Sequence, residues 1–278
     1  MADEAGTKNP LTLTRILLWI GGGVLGLLLL VGVVNMVAPE VLRRGSGPGA
    51  TDQGPTAARP RAAIVDQTGY SFPSPDFIAA ARATLEDAGY DVTYYGPEEV
   101  TVTLYRTLPD RGYDLIVFQT HSTSQVLASD EEGGGRDPAP GPFLFTTELY
   151  EPQRHLTLQV GDQVRASELF FEGSPQLFAV GPAFVRRSMR GLFPDTVIII
   201  GGCQSLAAPD LAEAFLEKGA SVVIGWDEMV NLAHNNQAVL HLLDGLLVQG
   251  LMPAEAVQLT NTHLGPDPVY NSLLDLME

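Results

Sequence analysis

The sequence predicts an α/β protein: a mostly parallel sheet flanked by helices, with an inserted β-hairpin and an N-terminal transmembrane helix. Three observations predict it. Short apolar runs such as Leu115–Phe118 and Val197–Ile200 have the composition of strands covered on both faces. Segments of helical spacing alternate with them, which implies right-handed crossovers and parallel pairing. The third is Ile16–Ala38, 23 residues without a charge, where a helix needs about 20 apolar residues to cross a bilayer.

Residues 1–15 read as an N-terminal tail and 16–38 as the membrane helix. A secretory signal is the alternative, but its apolar region runs to only about 7–15 residues, and no convincing small-x-small cleavage site follows Val37. Lys8 and Arg15 precede the helix and Arg43 and Arg44 follow it, so positive charge does not orient it. As a single-pass N-terminal anchor it is read with the C-terminal domain outside the cytoplasm. Residues 39–61 form a linker whose Gly45–Arg61 part is rich in glycine, proline and small polar residues. The α/β domain then spans 62–278.

Within that domain Ala62–Val65 reads as a strand ending at Asp66, and Asp76–Ala88 as a helix stopped by Gly89. Asp91–Tyr95 is a second strand by its β-branched and aromatic content. Val100–Leu108 is a short helix and Leu115–Phe118 the third strand. Ser129–Pro142 is a low-complexity loop. Beyond it Phe143–Thr147 and Leu156–Val160 alternate with turn residues between them, the pattern of the inserted hairpin, and Leu177–Val180 is another extended piece. The parallel pattern resumes with Val197–Ile200, a helix from Pro209 to Lys218, the strand Ser221–Ile224, and helices at Met229–Val248 and Pro253–Thr262.

Composition narrows the function. A net charge of −17, from 33 acidic and 16 basic residues, argues against a nucleic-acid partner, which needs a basic surface. A cationic peptide or protein fits that charge better. No phosphate-binding fingerprint is present, since Gly133-Gly134-Gly135 neither opens a helix nor precedes Gly-Lys-Ser/Thr, and no cofactor is implied. His234 and His241 lie seven apart with no carboxylate or cysteine to complete a metal set, so no metal site is read. His155 and His263 read as surface or packing residues.

In an open parallel sheet, functional residues collect just after the carboxyl ends of the strands. Those positions hold Asp66, His121, Cys203 and the pair Trp226-Asp227. Cys203, the single cysteine, follows the break Gly201-Gly202, and an imidazole or a helix start beside it would favour its thiolate. Alone, a cysteine is more often a small buried hydrophobe; a histidine at the matching strand end turns the reading toward a nucleophile with its base. The backbone N–H groups of Cys203 and of Ser122, just after His121, are candidates for an oxyanion hole. Asp227 could equally cap the helix after it.

The segments YDLIVFQTHS (Tyr113–Ser122) and VIIIGGCQSLAAPDLAEAFLEKGASVVIGW (Val197–Trp226) resemble the histidine and cysteine blocks of the caspase, gingipain and CHAT-domain peptidase clan. The resemblance covers roughly residues 62 to 250 and implies a caspase-like fold, a His121–Cys203 catalytic dyad and a peptide or protein substrate. Ser122 stands where many relatives have glycine. Relatives select the residue before the scissile bond with charged groups at the places of Asp66 and Asp227, which implies substrate binding by these two acids and cleavage after Arg or Lys. Two rivals remain open: a catalytically inactive interaction or sensor domain tethered to the membrane, and a small-molecule-binding α/β domain in which Cys203 is incidental.

Overall fold

The computed structural model describes residues 58–123, 141–169, 171 and 173–278. The tail, the membrane-helix reading of Ile16–Ala38, most of the linker and the loop from Ser129 to Pro140 lie outside the described residues. Among those described, no helix is long and apolar enough to cross a membrane.

Five of the strands follow the predicted sites: β1 (Arg61–Asp66), β2 (Asp91–Tyr95), β3 (Leu115–Gln119), β8 (Val197–Ile200) and β9 (Val222–Trp226). Together with β10 (Leu274–Met277) they form a six-stranded sheet in the order β2-β1-β3-β8-β9-β10. All neighbours are parallel except β10, which runs antiparallel to β9. The period-two alternation of each strand feeds two separate cores. Ala63, Val65, Ile116, Phe118, Ile198 and Ile200 face the helices α2 (Val102–Thr107), α4 (Pro182–Arg187) and α5 (Asp210–Glu217). Ala62, Ile64, Leu115, Val117 and Ile199 face α1 (Pro75–Asp87), α6 (Leu232–Leu243) and α7 (Pro253–Leu264). Each fully buried Val, Leu, Ile or Phe contributes about 1.5–3 kcal/mol, so apolar runs without polar interruption are what a sheet covered on both faces requires.

The helices start where local chemistry allows. α1 carries Pro75 in its first turn, buries Phe77, Ala81 and Leu85 on one stripe, and ends before Gly89 at φ 94°. Thr101 caps α2 by accepting from the Leu104 N–H at 3.2 Å.

The predicted hairpin is in fact a four-stranded antiparallel sheet, β4 (Ser122–Thr123), β5 (Phe143–Leu149), β7 (Gln176–Val180) and β6 (Val164–Glu168), in that order. The expectation for Leu156–Val160 is corrected: it is the short helix α3. His155 turns the chain at φ 54°, and Leu156 and Val160 stay 51% and 68% exposed, so its alternation had no face to bury. Leu144, Phe178 and Val180 join the first core, while Phe143, Phe145, Leu169, Leu177 and Ala179 form a cluster on the other side of this small sheet. The chain passes from β3 to β4 through Thr120 and His121 alone, so His121 stands at the joint between the two sheets.

Candidate active site

After β1 the chain builds β2 on one side, then crosses back to lay β3 on the other side of β1. Ligand crevices form at such a switch point, outside the carboxyl ends of the strands. His121 follows β3 by two residues and Cys203 follows the neighbouring β8 by three. Both residues line the same two adjoining cavities, each of about 260 Å³. One cavity is completed by Ser122, Phe145, Glu168, Leu169 and Gln204, the other by Thr68, Phe72, Val230, Leu232 and Tyr270, and Met229 borders both.

His121 is held at both ends. Its backbone N–H donates to Gln67 Oε1 at 2.8 Å, and buried Gln67 is itself fixed by donating to the Thr146 carbonyl at 3.3 Å. Its ring Nε2 pairs with Ser71 Oγ at 3.0 Å, and the ring meets Phe72 and Phe145 edge-on at 5.8 and 6.1 Å between centroids. Burial among these groups lowers its pKa from 6.5 to about 4, so the imidazole is neutral at physiological pH. With Nε2 engaged by Ser71, Nδ1 is the nitrogen left to act as base. No hydrogen bond joins the imidazole to Cys203 in this structure. Ser71, in the loop that follows β1 on the same rim, has no sequence motif that marks it as a partner of His121.

Cys203 sits in a turn rather than at a helix start. α5 begins only at Asp210, and the intervening residues are pinned to β9: Ser205 Oγ accepts from the Trp226 N–H at 2.9 Å and the Leu206 N–H donates to the Trp226 carbonyl at 2.9 Å. The expected help from a helix N-terminus is therefore lost. The two preceding glycines are required by crowding. A Cβ on Gly202 would press on Ser122 Oγ and lie 2.7 Å from the Thr120 carbonyl, and one on Gly201 would lie 2.8 Å from Gln119 Oε1. Ser122 Oγ donates to the Cys203 carbonyl at 2.5 Å, which ties the two strand ends together. Gln204, at φ 55°, turns the chain sharply, and its N–H donates to the Glu228 carbonyl at 2.8 Å. The thiol donates to the Val230 carbonyl at 3.6 Å. Burial pushes its pKa up, and the negative charge of Asp267 pushes the same way against backbone groups that favour the thiolate. The resting pair is thus a neutral thiol beside a neutral imidazole.

Ser122 lies opposite Leu144 in the β4–β5 pair, while the Phe145 N–H donates to the His121 carbonyl at 3.0 Å. That pattern makes Ser122 the non-hydrogen-bonded position of the ladder, with its N–H turned away from β5.

The two acids expected at the substrate pocket lie elsewhere. Asp66 is 4% exposed and accepts from the Gly69 N–H and the Tyr94 hydroxyl at 2.9 Å each and from Thr68 Oγ1 at 3.3 Å. The turn after β1 folds back on this carboxylate and closes it off. Asp227 accepts from the Leu273 N–H at 2.9 Å, pinning the approach to β10. Nor does Asp227 cap α6; Asn231 does, accepting from the Ala233 N–H at 3.0 Å. Neither acid lines either of these two cavities. Glu168 borders one, its Oε1 accepting from Gln176 Nε2 at 2.6 Å. The other histidines pack away from the cavities: His155 on Glu148, His234 against Trp226, and His241 stacked on His263. Among the described residues no three His, Cys, Asp or Glu side chains gather as metal ligands.

Compared with known proteins, the chain matches no family model and no curated protein by sequence.

Proposed function

We propose that the protein is a cysteine endopeptidase of the caspase-like kind, with Cys203 as nucleophile and His121 as base. The observation that carries this reading is that two residues 82 positions apart in the chain, on neighbouring strand ends, wall the same pair of cavities. In the tautomer with its proton on Nε2, the ring donates to Ser71 Oγ and Nδ1 is left to accept the thiol proton. The sulfur then bonds to the scissile carbonyl carbon, and the N–H groups of Ser122 and Cys203 receive the oxyanion. As the C–N bond breaks, the imidazolium returns its proton to the departing amine. Water, deprotonated by the same ring, opens the thioester, releasing the acid and restoring the thiol. Because both partners rest uncharged, the proton moves as the sulfur attacks the carbonyl rather than before it. Ile16–Ala38 would hold this activity at a membrane.

Two features of the site favour a second reading, an inactive interaction domain: the raised thiol pKa and the missing sulfur–imidazole hydrogen bond. Hydrolysis of internally quenched peptides separates the two. Active protein should lose all turnover in Cys203→Ala and about 10²–10⁴-fold in kcat/KM in His121→Ala. Folded protein that cleaves nothing, or turnover that survives Cys203→Ala, rejects the peptidase.

A further inference from the structure

Resting on the peptidase reading, we propose that the cavity beside Val230 takes an uncharged, apolar side chain on the residue whose carbonyl Cys203 attacks. The substrates are then peptides with Leu, Met or Phe at that position rather than Arg, Lys or Asp. The apolar walls of this cavity come from Phe72, Met229, Val230, Leu232 and Tyr270, and among the described residues no Asp, Glu, Lys or Arg lines it. Most of the polar groups that share the lining are engaged within the fold: Thr68 Oγ1 donates to Asp66 at 3.3 Å and Asn231 Oδ1 accepts from the Ala233 N–H at 3.0 Å. Thr120 Oγ1 donates to the His121 carbonyl at 2.9 Å, and Asn235 accepts from Trp226 Nε1 at 2.8 Å and donates to Gln119 Oε1 at 3.1 Å. The nearby carboxylates are spent as well. Asp267 accepts from the backbone N–H groups of Asn231, Val269 and Tyr270, all at 2.8 Å, and Asp66 is enclosed as described.

A guanidinium or ammonium entering this space would lose its water and meet no carboxylate among the described lining residues, which a buried charge does not tolerate. An apolar side chain loses nothing and covers the exposed faces of Phe72 and Tyr270, 37% and 43% accessible at the mouth. The sulfur lies against Val230, in the wall of this same cavity, so a carbonyl carbon bonded to it brings its own side chain there. The expectation of cleavage after Arg or Lys depended on Asp66 and Asp227, and neither reaches the cleft.

The cavity can be read without turnover. Full-length protein is alkylated with N-acetyl-leucyl and N-acetyl-lysyl chloromethyl ketones, each rate being normalised to that of iodoacetamide, a reagent too small to use the cavity. The leucyl reagent should react with Cys203 at least about tenfold faster; equal rates, or a faster lysyl reagent, overturn the proposal. Leu232 opens α6, where a carboxylate is favoured by the helix dipole. Leu232→Glu should therefore fold and reverse the preference, while Leu232→Gln should slow the leucyl reagent without speeding the lysyl one. Unchanged ratios in both folded variants also overturn it. Selective alkylation without any peptide hydrolysis would reject the peptidase and leave the cavity assignment standing.

Discussion

His121 couples the chemistry of the site to the stability of the fold. The unfolded imidazole takes up its proton near the ordinary 6.5, whereas the folded one, buried between Phe72 and Phe145, takes it up only near 4. Between those values the unfolded state holds more protons, so acid favours unfolding. The His121 contribution to stability is complete above about pH 6.5, and about 3 kcal/mol is lost as pH falls to about 4. Urea titrations across this window should show the loss in the native protein and a flatter profile in His121→Gln; parallel profiles would mean that His121 is not the titrating group. The residue pair itself was legible in the sequence, because strand ends can be located from apolar runs and the rim rule does the rest. Ser71 was not legible. Its hydroxyl reaches Nε2 only because the loop after β1 folds over the end of β3, a tertiary fact that no local pattern records. Asp66 failed for the complementary reason: it occupies the right strand end, but the turn at Gly69 captures its carboxylate.

At the scale of elements, the parallel strands and the apolar antiparallel strands β5 and β7 announced themselves, while β6 and β10 did not. β3 and β8 bury every or nearly every side chain, so sequence and structure coincide. β6 reads Val-Arg-Ala-Ser-Glu, with only Val164 and Ser167 buried, and has too little apolar signal to mark a strand. β10 was missed because it is an edge strand of four residues whose order comes from neighbours. Asn261 on α7 supplies much of that order, donating to the Leu274 carbonyl at 2.8 Å and accepting from the Leu274 N–H at 3.1 Å. Asn261→Ala should cost about 1–3 kcal/mol in denaturant unfolding by removing both partners. Amide exchange should rise first in Leu274–Met277, the edge it holds, while β3 and β8 remain protected. Uniform acceleration across the sheet would show that β10 is no separate unit.

For the molecule as a whole, net charge and the lining of the cleft are separate quantities. The net charge of −17 suggested a cationic visitor, but surface carboxylates set the long-range field, whereas selectivity in the cleft depends on which groups line it. Only the packed structure shows that, among the described residues, no Asp, Glu, Lys or Arg lines one of the two cavities. Their placement bears on a different matter, the physical state of a substrate under the proposed activity. The two cavities adjoin at Cys203 and His121, and successive side chains of an α-helix fan round its axis by about 100° each. A segment that fills both cavities with neighbouring residues does so as an extended chain. Under the proposed activity, a folded target has to open locally before it can be cut, and the free energy of that opening adds to the barrier. A protein cut at one flexible segment when folded, and at many sites after denaturation, would bear this out; equal cleavage of both states would not. Under that activity, the geometry of the cleft makes the target's own folding equilibrium a determinant of when it is cut.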